Sequence, residues 1–184
     1  MGMKRVIIAG AIFSLTNISF AMADIKVVTS IKPVHSLVSG VMAGVGVPSL
    51  IIDGAGSPHT YSLKPSQAQQ LQDAKLVFWM GDELETFLEG PIENIAQNAT
   101  AIKLIDAHGL KKIKFREGGM FDDHEDHDGH DDHSDGEFDP HVWLDPVNAK
   151  AIVHEIEEAL VKADPEHAST YEANAHKMMD KIDS

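Results

Sequence analysis

Two histidines of this sequence lie beside prolines in short, loop-like segments. His59 lies in the segment GSPHT (residues 56–60), and His141 lies in DPHVWLDP (residues 139–146). A neighbouring proline restricts the backbone, so less conformational entropy is lost when the imidazole binds a ligand. Imidazole is the commonest protein ligand for transition metals. Each segment therefore predicts a metal ligand, and the alternatives are a surface-loop histidine at position 59 and a turn anchored by Trp143.

Three carboxylates are candidates to support such a site. Asp139 or Asp145 could accept the second ring N–H of His141 and so orient the imidazole. Glu85 follows the end of a predicted strand, together with Glu83. Acidic side chains in the first turn of a helix are also stabilised by the helix dipole. Two interpretations of the glutamates stay open, a supporting role beside the metal and an ordinary place at a helix start.

A histidine-rich acidic tract precedes the second segment. Residues 121–139 hold ten Asp or Glu, four His and no basic residue. So few apolar side chains cannot offset the entropy of ordering the chain, which predicts a disordered loop over residues 117–138. Its imidazoles would collect metal ions loosely near the two candidate ligands, or the tract is simply a solvated acidic loop. The four histidines of the tract are His124, His127, His130 and His133.

The composition excludes several classes of protein. The chain has 184 residues, no cysteine and a formal net charge of −14, from 29 acidic against 15 basic side chains. This charge disfavours nucleic acids and anionic membranes as partners, because both bind clustered Lys and Arg. The absence of cysteine excludes disulfides, thiolate catalysis and cysteine-based zinc sites. The sequence also contains no P-loop, GxSxG or HExxH motif.

The amino terminus has the pattern of a secretory signal peptide. Lys4 and Arg5 precede an apolar run over residues 6–20, and the small-residue segment AMA (residues 21–23) follows it. The run contains Ser, Thr and Asn, and it is shorter than the ~20 apolar residues that a membrane-spanning helix needs. We therefore expect residues 1–23 to be removed during export to a bacterial periplasm.

Strand-like and helix-like segments alternate four times after residue 24. Short β-branched or apolar runs predict the strands, and apolar residues at helical spacing predict the helices. Such alternation is typical of a parallel sheet flanked by helices, so we predict an α/β lobe over residues 24–163 with a four-stranded parallel sheet. A further helix over residues 164–184 has no partner visible in the sequence and is expected to expose its apolar side chains. The predicted strands cover residues 25–29, 48–52, 76–80 and 102–105.

Four stretches taken together resemble one protein family. They are TSIKP (residues 29–33), SPHTYSLKPS (residues 57–66), DPHVWLDP (residues 139–146) and YEANA (residues 171–175). In this order they resemble the metal-specific solute-binding proteins of ABC uptake systems, and most closely the periplasmic zinc-binding branch of ZnuA type. The His- and Asp-rich tract that precedes the third stretch favours the zinc branch over the manganese branch.

The resemblance implies a fold of two α/β lobes that one long helix connects, with a metal ion in the cleft between them. His59 and His141 would be the metal ligands of the first lobe. Residues 164–184 would be the start of the connecting helix, and the second lobe would be missing from this sequence. The resemblance also implies a monomeric, non-enzymatic protein that captures Zn²⁺ and delivers it to the membrane permease of an ABC transporter.

Three other functions stay open on the sequence. One is a manganese- or iron-specific member of the same family, because the ligands that select the metal would belong to the second lobe. Another is a periplasmic metal buffer, in which the acidic histidine-rich loop is the whole function. The third is a zinc hydrolase, which needs a general base near an open metal position. Glu83 or Glu85 would have to supply that base.

Overall fold

A computed structural model of the chain describes residues 25–114 and 138–184. The predicted signal peptide and the four histidines of the predicted loop lie outside the described residues. Of the predicted loop, Phe138 is described, and it forms an isolated antiparallel bridge with Lys114. The two ends of the undescribed internal segment are therefore held next to each other.

The described chain contains a four-stranded parallel sheet with the strand order β2-β1-β3-β4. All three pairs of neighbouring strands are parallel, which confirms the predicted fold class. Every residue of β3 is buried, as expected for a strand that pairs on both edges beneath covering helices. The strands are β1 (Val27–Thr29), β2 (Ser49–Leu50), β3 (Leu76–Trp79) and β4 (Thr100–Lys103).

Helices connect the strands and complete the described fold. Prolines stand at the first turns of α1, α2 and α4, where the missing N–H has no helical partner to lose. Among the described residues, no helix has both the length and the apolar character needed to cross a membrane. The helices are α1 (Lys32–Val41), α2 (Pro65–Asp73), α3 (Asp82–Asn94), α4 (Pro146–Ala163) and α5 (Ala168–Ile182).

The last strand differs from its prediction by two residues. The sequence predicts a strand over residues 102–105, whereas β4 ends at Lys103 and a 3₁₀ turn, Leu104–Asp106, follows it. Both Leu104 and Ile105 are nonetheless buried. The second half of the predicted strand is therefore a buried turn, whose Ile105 N–H donates to Met80 O at 2.9 Å.

Helix α5 has partners, and the prediction that it exposes its apolar side chains is wrong. It packs against α1 and α4. Tyr171 and Ala175 of α5 are completely buried. The side-chain amide of Asn174 donates to Val41 O at 3.0 Å and to Ala43 O at 2.8 Å, so it caps the carboxyl end of α1. Helix α5 thus belongs to the core of this α/β unit.

Candidate metal centre

The two proline-flanked histidines meet in the structure. His59 lies in the segment between β2 and α2, and His141 lies just before α4. Their ring centroids are 6.2 Å apart, and the ring planes are inclined at 49°. The expectation that these distant parts of the chain bring their imidazoles together is therefore met.

This separation suits two ligands of one ion after a small adjustment. With metal–nitrogen distances of about 2.0–2.1 Å, the centroids of two imidazoles on one tetrahedral zinc lie roughly 5 Å apart. The observed 6.2 Å requires each ring to move inward by a fraction of an ångström. His59 is exposed and His141 is half-exposed, so both rings can be reached from solvent.

Asp139 orients the ring of His141. Its Oδ1 atom lies 2.7 Å from the Nδ1 atom of His141 and also accepts the His141 backbone N–H at 2.9 Å. A carboxylate only accepts, so Nδ1 carries the proton and Nε2 keeps its lone pair for a metal. The backbone and ring N–H groups of His141 hold the pKa of Asp139 below its usual value. The orienting charge is therefore present at neutral pH.

The backbone also fixes Asp139 in place. Its N–H donates to Ile113 O at 2.9 Å, next to the bridge between Lys114 and Phe138. On the other side of His141, the ring of Trp143 packs against the imidazole with centroids 5.2 Å apart. The nearby Leu144, by contrast, is 74% exposed. The ring therefore rests on Trp143 and Asp139.

Asp145, the other aspartate predicted to orient His141, has a different task. Its Oδ1 atom accepts the backbone N–H groups of Val147 at 2.7 Å and Asn148 at 3.4 Å. It is the N-cap of α4, where a side-chain oxygen satisfies N–H groups that have no helical partner. The structure thus assigns the orienting role to Asp139 and corrects the prediction for Asp145.

Glu85 lies in the core and not at an imidazole. It is completely buried, and its Oε2 atom accepts the Met80 N–H at 2.7 Å and the Gly81 N–H at 3.4 Å. Burial raises the pKa of Glu85 to about 7, against the opposing effect of the Ser30 hydroxyl and these backbone N–H groups. The prediction of Glu85 beside the metal is corrected, because its Oε2 atom accepts N–H groups of the turn between β3 and α3 and its Oε1 atom is buried.

Glu83 is also engaged elsewhere. It stands in the first turn of α3 and forms an ion pair with Lys103, with 3.5 Å between Oε2 and Nζ. Asp82 pairs with the same ammonium group. The first-turn interpretation therefore holds for Glu83. With Glu85 buried and Glu83 paired, neither glutamate is disposed as the general base that a hydrolase would need.

Gln67 is a residue that the sequence analysis missed. Its buried side chain bonds to three groups, two that flank the His59 segment and one inside it: Ile51, Lys64 and Tyr61. Its position three residues after the N-cap Lys64 is a capping-box position, which is a readable signal. The bonds to Ile51 and Tyr61 are not readable from the sequence, because they depend on the fold.

The described residues contribute two imidazoles to the candidate site and no complete shell. Within residues 25–114 and 138–184, no group of three or more His, Asp or Glu side chains is arranged to hold a metal ion. Structural zinc sites use four protein ligands, and open catalytic sites usually use three. The arrangement is therefore able to hold an ion by two nitrogen atoms and to leave its other coordination positions open.

Comparison with known proteins assigns the chain to a family. A family model described as "Zinc-uptake complex component A periplasmic" matches residues 27–184. High-affinity zinc uptake system protein ZnuA of Brucella abortus is 47% identical over 86% of this chain and 55% of its own length. The ZnuA protein of Yersinia pestis is 31% identical over 95% of this chain and 57% of its own length. The chain spans about half the length of these curated relatives.

Solved structures share the fold. The Zn(II)-bound ZnuA-like domain of Streptococcus pneumoniae AdcA superposes with a TM-score of 0.69, at 23% identity, over 88% of this chain and 52% of that one. A Mn-bound periplasmic metal binding protein from Candidatus Liberibacter asiaticus gives a TM-score of 0.68, also at 23% identity, over 85% of this chain and 52% of its own. With the match of the family model over residues 27–184, these findings show that the chain belongs to the ZnuA family of periplasmic zinc-uptake components.

Proposed function

We propose that this chain captures Zn²⁺ in the periplasm and passes it to the membrane permease of an ABC importer, with His59 and His141 as zinc ligands. It binds, carries and releases the ion without chemical conversion. The names of its relatives support zinc uptake, and the family description supports the periplasm. Export through cleavage after residue 23 and a monomeric state are parts of the same proposal.

The observation that carries the proposal is the meeting of the two imidazoles. Their centroids lie 6.2 Å apart although the histidines come from distant segments, and Asp139 leaves Nε2 of His141 free to bind. Neutral imidazole is a preferred zinc ligand, whereas Mn²⁺ prefers oxygen ligands. The two nitrogen atoms therefore favour zinc as the cargo, and they give the described residues half of a four-ligand shell.

A zinc titration of four variants tests the assignment of the ligands. The loop histidines are first removed, because they would bind zinc on their own. We define the loop-His variant as the chain with His124, His127, His130 and His133 all replaced by Asn. Calorimetry should detect weak, one-to-one zinc binding in this variant. His59→Ala and His141→Ala in the same background should each abolish it, since each removes one of two ligands.

The matched control for this titration is His176→Ala, which removes an exposed histidine from α5. It should bind zinc like the loop-His variant itself. Equal zinc affinity in the His59→Ala, His141→Ala and His176→Ala proteins would show that the two imidazoles do not hold the ion.

Manganese is a second candidate cargo, because one solved structure of the same fold is described as Mn-bound. Iron belongs to the same alternative. The discriminating experiment is competition, in which the loop-His variant loaded with Zn²⁺ is titrated with Mn²⁺ or Fe²⁺. We expect zinc to remain bound at equal concentrations of the competing ion, because both ligands are nitrogen atoms. Displacement by Mn²⁺ would favour the manganese alternative.

A metal buffer is the other non-enzymatic alternative. If the loop histidines were the whole function, the loop-His variant would lose zinc capture altogether, whereas His59→Ala and His141→Ala made with the loop histidines intact would keep it. The proposed function predicts the opposite result: the loop-His variant keeps one zinc site, and His59→Ala and His141→Ala each lose that site. Zinc-dependent growth of a strain that produces each variant is the corresponding test in cells.

A further inference from the structure

We propose that Gln67 is a positioning residue for zinc binding, which fixes the segment carrying His59 before the metal arrives. The inference rests on the proposed function, because it gives that segment a task. Gln67 lies in the first turn of α2 and is only 7% exposed. Three hydrogen bonds of its amide accompany this burial.

The amide of Gln67 joins the two ends of the His59 segment. Its Nε2 atom donates to Ile51 O at 2.7 Å, just after β2 and before the segment begins. Its Oε1 atom accepts the Lys64 N–H at 2.8 Å, where the segment ends. One buried side chain thus closes the base of a loop that runs from Asp53 to Leu63 and includes His59.

A third bond holds the interior of the same segment. The Nε2 atom of Gln67 also donates to the hydroxyl of Tyr61 at 2.8 Å, only two residues beyond His59. The ring of Tyr61 packs against Phe87 of α3, with centroids 5.2 Å apart. The same ring lies so close to Gly56 that a Cβ there would be 2.8 Å from its Cδ2 atom. Tyr61 is therefore fixed from both sides and from its hydroxyl.

These contacts bear on zinc binding through entropy. A mobile segment must be ordered when His59 binds, and the free energy of that ordering is subtracted from the affinity. A segment that Gln67 and Tyr61 already hold has less freedom to lose. The amide is also the chemically required group, because it donates to Ile51 and Tyr61 and accepts from Lys64, which an ionised carboxylate cannot do.

The alternative is that Gln67 only caps α2. Its bond to the Lys64 N–H is half of a capping box, which stabilises the start of a helix. A cap alone would affect the stability of α2 and leave zinc affinity unchanged. The bonds to Ile51 and Tyr61 go beyond a cap, and they are what the experiment must isolate.

The experiment measures zinc affinity and hydrogen exchange in the loop-His variant of the full chain. Gln67→Ala should weaken zinc binding about tenfold, the effect of one buried hydrogen bond, and speed amide exchange in residues 53–63 without zinc. Tyr61→Phe keeps the bonds to Ile51 and Lys64 and removes only the hydroxyl. It should give a smaller change in the same direction at an unchanged melting temperature. Gln72→Ala, an exposed glutamine of α2, is the matched control and should change neither quantity.

The outcomes separate this inference from the proposed function. The inference is overturned if Gln67→Ala and Tyr61→Phe both leave zinc affinity and the amide exchange of residues 53–63 unchanged. If only the amides of α2 lose protection, Gln67 acts solely as a helix cap. If Gln67→Ala does not fold, Tyr61→Phe decides alone. If the loop-His variant binds no zinc and His59→Ala changes nothing, the proposed function fails. The exchange over residues 53–63 then still shows whether Gln67 holds the segment, but a role in zinc binding is refuted.

Discussion

The pair of Asp139 and His141 shows how one carboxylate prepares a metal ligand. Asp139 receives two N–H groups of the same residue, one from the backbone and one from the ring. The ring is therefore held in one tautomer and one orientation before an ion arrives. The neighbouring Trp143 restricts the ring from another side. His59, by contrast, depends on its segment for its position.

Replacing Asp139 tests this preparation directly. Asp139→Asn in the loop-His variant should weaken zinc binding about 10–100-fold, the usual effect of disrupting the carboxylate partner that orients a metal-bound imidazole. The matched control is Asp145→Asn, because asparagine caps a helix as well as aspartate does and should leave zinc affinity unchanged. Calorimetric dissociation constants for the two variants provide the measurement. An equal effect of both substitutions would mean that only the general negative charge near the site matters.

How much of the site the sequence predicted varies from residue to residue. The sequence singles out both histidines whose rings meet in the fold, because a proline beside an imidazole is a local feature. Asp139 was one of two choices, and the helix start at Pro146 could have excluded Asp145, since the residue before such a proline is a typical N-cap. The bonds of Gln67 to Ile51 and Tyr61 depend on which segments the fold brings together, so no local pattern reveals them.

The turn between β3 and α3 is built around a buried acid. Glu85 has non-helical backbone angles (φ −127°, ψ 50°) inside α3, and this irregularity accompanies a side chain that reaches back to the Met80 N–H. The sequence placed Glu85 in the first turn of a helix, where acids usually face solvent. The irregular backbone could not be foreseen, and it explains why the prediction of a supporting role beside the metal was wrong.

The raised pKa of Glu85 predicts how stability depends on pH. Folding raises this pKa from 4.5 to about 7, so the folded state keeps a proton that the unfolded state releases. The contribution of this one group to the free energy of unfolding should therefore fall by about 3 kcal/mol as the pH rises from 4.5 to about 7. Above that pH the contribution should stay constant. Glu85→Gln should remove this dependence on pH, because the neutral amide resembles the protonated acid at every pH.

Urea unfolding at pH 4.5 and at pH 8, with a chelator present, measures this effect. Glu85→Gln should match the parent chain at the lower pH and exceed its stability at the higher pH. Glu89→Gln is the control, because Glu89 is an exposed acid on the same helix. Parallel pH profiles for the parent and Glu85→Gln would show that folding leaves the pKa of Glu85 unchanged.

Secondary structure was largely predictable, whereas packing between distant elements was not. The alternation of strands and helices predicted the parallel sheet because period and turn residues are local properties. The partners of α5 could not be predicted, since α1 and α4 meet it only in the folded chain. Its contacts are specific: Asn174 caps α1, and a Cβ on Gly40 would lie 1.7 Å from the Cε atom of Met178. Gly40 therefore leaves the space that the end of the Met178 side chain occupies between α1 and α5.

In the molecule as a whole, the candidate site brings together two parts of the described chain that are far apart in sequence. His59 leaves the carboxyl edge of the sheet after β2, and His141 enters α4 from the segment that follows Asp139. An ion held by both rings would cross-link these parts in the folded state and not in the unfolded state. Zinc binding should consequently be coupled to the stability of the whole described unit.

Thermal unfolding with and without zinc tests this coupling. In the loop-His variant, zinc at about a hundredfold excess over its dissociation constant should stabilise the folded state by about 2.7 kcal/mol, because a ligand that binds only the folded state shifts the equilibrium by mass action. The resulting rise in melting temperature should disappear in His59→Ala and in His141→Ala and persist in His176→Ala. If zinc binds but leaves the melting temperature of the loop-His variant unchanged, the ion does not bridge the two folded segments. A rise that survives the loss of either imidazole would place the ion at another position in the fold.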